Sequence, residues 1–217
     1  MRNKKIGIIF LTLILVIIGI WSIQVKIGIV PLIDRPTRDL VEKLSNTAIF
    51  DVFRKITELG SSTFLIPFVV VMVIVLLLLY KHWFPALLFV SSIVLTHALN
   101  VAIKMVTTRE RPSISVDAHA EGYSFPSGHS MIPMVCYGLV AYFIGRKLPS
   151  STAKFAFQST CGILVLLIGL SRYVINVHYL TDVVAGFTLG FLLLMGSIYI
   201  DKKFEYSPTR DGEKSNP

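Results

Sequence analysis

Charge is scarce in this sequence. Only 16% of its 217 residues are charged, against about 25% in an ordinary soluble domain. That shortage argues against a water-facing globule. Cysteine is scarce too: Cys136 and Cys161 are the only two, both in apolar runs and without a CxxC pair. A disulfide framework is therefore excluded, and the pair reads as packing residues.

Apolar residues dominate what is there. They make up 53% of the chain, and the mean hydropathy is +0.69. A bilayer-spanning helix needs roughly 20 mainly apolar residues. Runs at 6–23, 62–80, 84–103, 130–145, 155–170 and 183–200 qualify, the fourth and fifth borrowing neighbours at their ends. The expected fold is all-α: a polytopic membrane protein with six transmembrane helices. One domain over 1–204 accounts for them, followed by a polar tail, 205–217, expected to be disordered. The first run starts with Arg2, Lys4 and Lys5, as a signal peptide does. Its apolar stretch is longer than the ~7–15 residues of such a segment, and no Ala-x-Ala site follows, so an uncleaved span is expected.

The net charge of +8 raises the question of nucleic acid, but in a polytopic chain the distribution of charge matters more than its total. With six spans the termini share a side. That side carries 11 basic and 4 acidic residues, and the other carries 10 and 9. The basic excess predicts cytoplasmic termini in a cell membrane. The outward segments are then 24–61, 104–129 and 171–182, facing the extracellular or periplasmic side. The implied partner is the bilayer, not nucleic acid, and no obligatory protein partner is evident. In the first segment, Pro36 opens a run in which Leu40, Val41, Leu44 and Ala48 share a face, and Phe50, Phe53, Ile56 and Thr57 suggest another turn set. One or two short helices are expected there, lying in the interface or packed on the bundle's outer end.

Three polar clusters fall on this outer side. Ionisable groups near membrane depth are expensive and tend to be functional. The first is KMVTTRERP, with Lys104, Arg111 and Pro112. His97, Asn100 and Lys104 form a polar stripe that should face the bundle interior. If the helix persists to Pro112, Lys104 and Arg111 lie on one face and make an anion site. Lys104 alone is equally compatible with snorkelling to headgroups. The second cluster, Pro126-Ser127-Gly128-His129, leads into the fourth span. Ser127 is a good N-cap, and Gly128 lets backbone approach a ligand closely. The helix start attracts phosphate-like anions, and His129 could exchange a proton beside it. Alone, the four residues read more readily as a helix cap with an interfacial histidine. The third cluster holds Ser171, Arg172, His178 and Asp182. At i, i+4 on a helix, Asp182 could fix the tautomer of His178 and leave one ring nitrogen free to attack; alone, the pair equally reads as Asp182 capping the sixth span beside a headgroup-level His178. Arg172 could grip phosphate oxygens with two donors. Together, three cations without an anion would repel one another, and a bound phosphate group cures that.

Lys104-x6-Arg111-Pro112, Pro126-Ser127-Gly128-His129 and Ser171-Arg172-x5-His178-x3-Asp182 resemble the three-part signature of the type-2 phosphatidic acid phosphatase family. The resemblance implies a membrane-embedded lipid phosphatase. In it His178 is the nucleophile that forms a phosphohistidine, Asp182 orients it, and His129 is general acid and then base. Lys104, Arg111 and Arg172 are the phosphate clamp, completed by Ser127 and the Gly128 N–H, with Ser171 in phosphate contact or local hydrogen bonding. No metal or other cofactor is implied, because the cations supply the charge stabilisation. The family's known substrates suggest undecaprenyl diphosphate or phosphatidylglycerophosphate, with phosphatidic acid a further candidate. A lipid phosphotransferase or a transporter without chemistry could use the same anion site. The stretch 113–123, with Asp117, His119 and Glu121, is expected to be a solvated loop or a lip over the site.

Overall fold

The computed structural model describes residues 2–34, 47–112 and 122–204. Seven α-helices lie within them: α1 Arg2–Lys26, α2 Ala48–Thr57, α3 Ser62–Tyr80, α4 Trp83–Thr107, α5 Gly128–Gly145, α6 Ser151–Val174 and α7 Leu180–Lys203. Two single 3-10 turns, Leu32–Asp34 and Glu58–Gly60, complete the described secondary structure.

Helices α3 to α7 are long and apolar enough to cross a membrane. The described apolar part of α1, Thr12–Lys26, is shorter. Among the described residues, five helices are long and apolar enough to span, where hydropathy led us to expect six. The third to sixth expected spans each start and end within a few residues of an observed helix, and the second coincides with α3. Caps explain the boundaries. Ser61 accepts from the Phe64 N–H at 3.3 Å to start α3, and Ser150 accepts from the Ala153 N–H at 3.1 Å to start α6. Lys81 and Thr108, at φ 52° and 49°, turn left-handed and stop α3 and α4. The expected turn set at 50–57 is helix α2, opened by the Thr47 N-cap. The amphipathic stretch at 36–44, the 113–121 part of the loop with Asp117, His119 and Glu121, and the tail at 205–217 lie outside the described residues.

Helix α5 is the axis of the bundle and packs on α4, α6 and α7. Cys136 and Cys161 are buried and unbonded to each other. The close α5–α7 contact has a sequence cause. Gly186 and Gly190 sit four apart on α7, a small-residue pair that lets helix backbones approach. A Cβ at Gly186 would lie 2.6 Å from the Ser127 carbonyl oxygen, and one at Gly190 would lie 2.7 Å from that of Met131. The first turns of α5 and α7 are thereby pressed together, and both carry motif residues.

The polar stripe on α4 is rotated from its expected position. Ser92, Thr96, Asn100 and Thr107 form the buried line, while His97 is exposed. His97 follows Thr96 by one residue, and each residue turns the helix by about 100°. Asn100 Nδ2 donates to the Pro126 carbonyl at 3.1 Å, and Thr107 Oγ1 donates to the Phe125 carbonyl at 3.0 Å. Helix α4 thus anchors the loop that enters α5.

Candidate active site

The ends of α4, α5, α6 and α7 meet at one end of the bundle. His178 lies in the short turn between α6 and α7 and is 2% exposed. Its Nδ1 is 3.3 Å from Asp182 Oδ2 and 3.2 Å from Ser124 Oγ. The contact is not made on a helix face as the i, i+4 spacing suggests. Helix α7 begins only at Leu180, and Asp182, in its first turn, reaches back. There it accepts the Tyr179 N–H at 2.9 Å and the Ser124 hydroxyl. Asp182 therefore caps the helix and holds the imidazole at once. With Nδ1–H facing a carboxylate, the Nε2 lone pair points the other way, to Arg111 Nη1 at 3.1 Å. Burial pushes the His178 imidazole down to about 3, against the opposing pull of Asp182. The ring is neutral near pH 7.

Arg111 does not continue α4, because the helix stops at Thr107. The guanidinium comes back over the site from an irregular segment. It donates to the carbonyls of Gly122 at 2.9 Å and Val177 at 3.0 Å. Burial lowers its pKa from the ordinary value, partly opposed by Asp182. Lys104, in the last turn of α4, lies within the fields of Arg111, Arg172 and Asp182. Arg172, 6% exposed, donates through Nη1 to Thr57 Oγ1 at 2.9 Å. His129, half-buried in the first turn of α5, lies within the fields of Arg172, His178, Lys104 and Arg111. The three motif clusters, distant in sequence, share one pocket of charge.

Spare donors mark this pocket. Among the described residues, Arg172 Nε, Ser127 Oγ and Ser130 Oγ are buried without a hydrogen-bond partner. Ser127 occupies the N-cap position of α5, yet its hydroxyl makes no cap bond. A buried unsatisfied donor is costly, and an anion with several oxygens would satisfy Arg172 Nε and Ser127 Oγ, whereas Ser130 lies against Gly186 of α7. Gly128 packs against Asn100, where a Cβ would lie 3.2 Å from the side-chain oxygen. Ser171 Oγ donates to the Ile168 carbonyl, 2.6 Å away in the same helix.

Several residues at the site escaped the reading of the motifs. Ser124 stands two positions before Pro126, where only its proximity to the second motif was a signal. Arg109 is the third cation of KMVTTRERP, and it binds Asp182 Oδ1 through Nη1 at 2.6 Å. Asp34 joins Arg109 from 75 residues away, at 2.7 Å, and no local pattern announces it. Gly60 backs onto the site: a Cβ there would lie 3.0 Å from His129 Cδ2. The segment 24–61 thus supports the pocket at both of its ends.

This architecture, an apolar helical bundle with cations and paired histidines at one end, defines a class. The chain belongs to the PAP2 superfamily, whose pattern matches residues 85–206. It is a membrane protein and an enzyme of the lipid phosphatase class. Phosphatidylglycerophosphatase B of Bacillus subtilis is 35% identical over 156 residues, 71% of this chain and 76% of that protein. Dolichyldiphosphatase of Saccharomyces cerevisiae is 27% identical over 63% of this chain and 62% of its own length. Among solved structures, a transmembrane PAP2-type phosphatidylglycerolphosphate phosphatase from Bacillus subtilis superposes with a TM-score of 0.75. It is 30% identical, with 87% of this chain and 96% of that one covered.

Proposed function

We propose that this enzyme hydrolyses the terminal phosphate of a membrane-held lipid, with phosphatidylglycerophosphate as the leading substrate. The observation that carries this is the convergence of Lys104, Arg111 and Arg172 on two histidines, beside the unpartnered Ser127 Oγ and Arg172 Nε. The similarity to phosphatidylglycerophosphatase B supports the substrate. The relative named dolichyldiphosphatase supports undecaprenyl diphosphate as the second candidate.

In this mechanism the phosphate oxygens displace Arg111 from His178 Nε2 and take its donors, together with those of Lys104, Arg172, Ser127 and the Gly128 N–H. The Nε2 lone pair attacks phosphorus as the bond to the lipid oxygen breaks. His129 takes up a proton as the bound phosphate offsets the surrounding cations and gives it to that oxygen, and the lipid alcohol or lipid phosphate leaves. Asp182 stabilises the positive charge that develops on the His178 ring. Water then attacks the phosphohistidine and gives a proton to His129 as the N–P bond breaks. Inorganic phosphate leaves, and both histidines are restored. The clamp cations stabilise the charge spread over the equatorial oxygens. Helix α1 serves as the sixth span, which puts both termini in the cytoplasm and the site at the outer face. The lipid tail enters sideways between helices. The membrane domain extends over 1–204, and 205–217 is a disordered tail.

The test is phosphate release by purified protein in detergent with EDTA. The panel is phosphatidylglycerophosphate, undecaprenyl diphosphate, phosphatidic acid and diacylglycerol pyrophosphate, with His178→Ala as control. Release that requires His178 and tolerates chelator is the expected result, and the rank of rates selects the substrate. Lipid movement without release would retire hydrolysis in favour of transport. A phosphorylated acceptor in place of free phosphate would make the enzyme a phosphotransferase.

A further inference from the structure

Asp34 lies outside the three-part motif and Arg109 fills one of its unspecified positions between Lys104 and Arg111, yet both are buried, at 1% and 9% exposure. They form a chain with the histidine pair. Asp34 Oδ2 meets Arg109 Nη2 at 2.7 Å, Arg109 Nη1 meets Asp182 Oδ1 at 2.6 Å, and Asp182 Oδ2 meets His178 Nδ1 at 3.3 Å. Thr181 braces the joint. Its hydroxyl accepts from Arg109 Nη1 at 2.8 Å and donates to Asp34 Oδ2 at 2.7 Å, and its N–H donates to Asp34 Oδ1 at 3.0 Å. The Tyr179 ring covers the guanidinium, its centroid 3.7 Å from Cζ.

Two physical consequences follow. A guanidinium presents a planar fork of donors that can hold two carboxylates in fixed orientation. With Oδ1 held by Arg109, the Asp182 carboxylate cannot swing, and Oδ2 stays aimed at His178. A cation paired to Asp182 alone would also cancel the negative charge that His178 needs as it becomes positive. Asp34 shares that cation, so Asp182 keeps much of its charge. We propose that Arg109 and Asp34 are positioning residues for the His178–Asp182 pair: Arg109 fixes the carboxylate, and Asp34 balances the charge of Arg109. The proposal rests on His178 as nucleophile. It makes the turn after α1, 144 residues from His178 in sequence, part of the reaction's machinery.

The test uses the full chain with Arg109→Gln, Arg109→Lys and Asp34→Asn, each alone and combined with Asp182→Asn. Phosphatidylglycerophosphate turnover gives kcat and KM. Orthovanadate affinity reports the five-coordinate adduct on His178 Nε2 without any lipid. Arg109→Gln should lower kcat about 10- to 100-fold with KM changed less than about twofold, and Arg109→Lys should recover part of the loss. In the Asp182→Asn background the same change should cost less than about twofold, because its target is already gone. Equal losses in both backgrounds, or a rise in KM alone, would overturn the proposal. If Arg109→Gln does not fold, Asp34→Asn decides: kcat and vanadate affinity should fall several-fold with Asp182 present, and unchanged values would overturn it. If the wild type binds vanadate through His178 but cleaves no lipid, the hydrolytic reading fails and vanadate affinity alone judges Arg109 and Asp34. If His178→Ala changes neither vanadate binding nor turnover, both proposals fall.

Discussion

The two ends of the bundle each bury charge, and they do it differently. At the end holding Lys81 and Arg146, Asp201 is 4% exposed and its Oδ2 is satisfied by Arg146 Nη1 at 2.8 Å and by the Tyr142 hydroxyl at 2.8 Å. Lys147 sits over the Tyr80 ring, 4.4 Å from its centroid. Carboxylate, cations and aromatic rings close on one another there, as suits a water interface. At the other end, Lys104, Arg111 and Arg172 gather around two histidines, and Arg172 Nε and Ser127 Oγ have no partner among the described residues. One cluster is complete by itself, while the other keeps spare donors of the kind the proposed phosphate site requires. Charge balance, more than burial, separates a structural cluster from a site built for a ligand.

Substitutions at the two ends should therefore have opposite signatures. The largest effect is expected from His178→Ala, which should lower kcat by roughly four orders of magnitude or more. Residual activity close to wild type in the phosphate-release assay would remove His178 from the mechanism. His129→Ala should slow turnover about 100- to 10,000-fold. Its effect should shrink on substrates with good leaving groups, such as an aryl phosphate, since those need no proton. Lys104→Ala should cost about 100-fold or more in kcat/KM through lost stabilisation of the transferring phosphoryl group. Its melting temperature should hold or rise as a repelling cation is removed. At the opposite end Asp201→Asn should do the reverse. It should leave kcat and KM unchanged and destabilise the fold by about 1–3 kcal/mol, read as a lower melting temperature in detergent.

The smallest effect is one of pH. Burial holds His178 at about 3 in the folded chain, below the ordinary ~6.5 it regains on unfolding. The unfolded chain therefore binds the extra proton first. The His178 contribution costs nothing above about 6.5, and it lowers stability progressively as pH falls toward 3. Thermal melts of wild type and His178→Asn should diverge in that window and run parallel above it. Parallel curves throughout would mean the imidazole is solvated.

Hydropathy located helix α3 to the residue, because an apolar run between a serine cap and a left-handed lysine is a local signal. The motif residues were legible for the same reason: short spacings and unusual composition at span ends survive without knowledge of packing. Helix-face inference was less reliable. It put His97 inside the bundle, when the buried line runs through Thr96 and Asn100. It could put Arg111 on the face of α4 only if that helix ran on to Pro112, and Thr108 ends the helix first. It explained the His178–Asp182 pair by a helix face, when a capping carboxylate makes the contact.

By itself the sequence determined that this chain is a helical membrane protein and which polar motifs stand at the ends of its spans, since hydrophobic length and local spacing are properties of neighbours along the chain. Only the tertiary structure decided which donors are left free and which are bound. It joined Asp34 to Arg109 and Asp182, set Gly60 against His129, and left Ser127 without a cap bond. Those outcomes depend on the register at which helices settle against each other. That register is the sum of many weak contacts, here tightened where Gly186 and Gly190 meet α5, and no short stretch of sequence contains it.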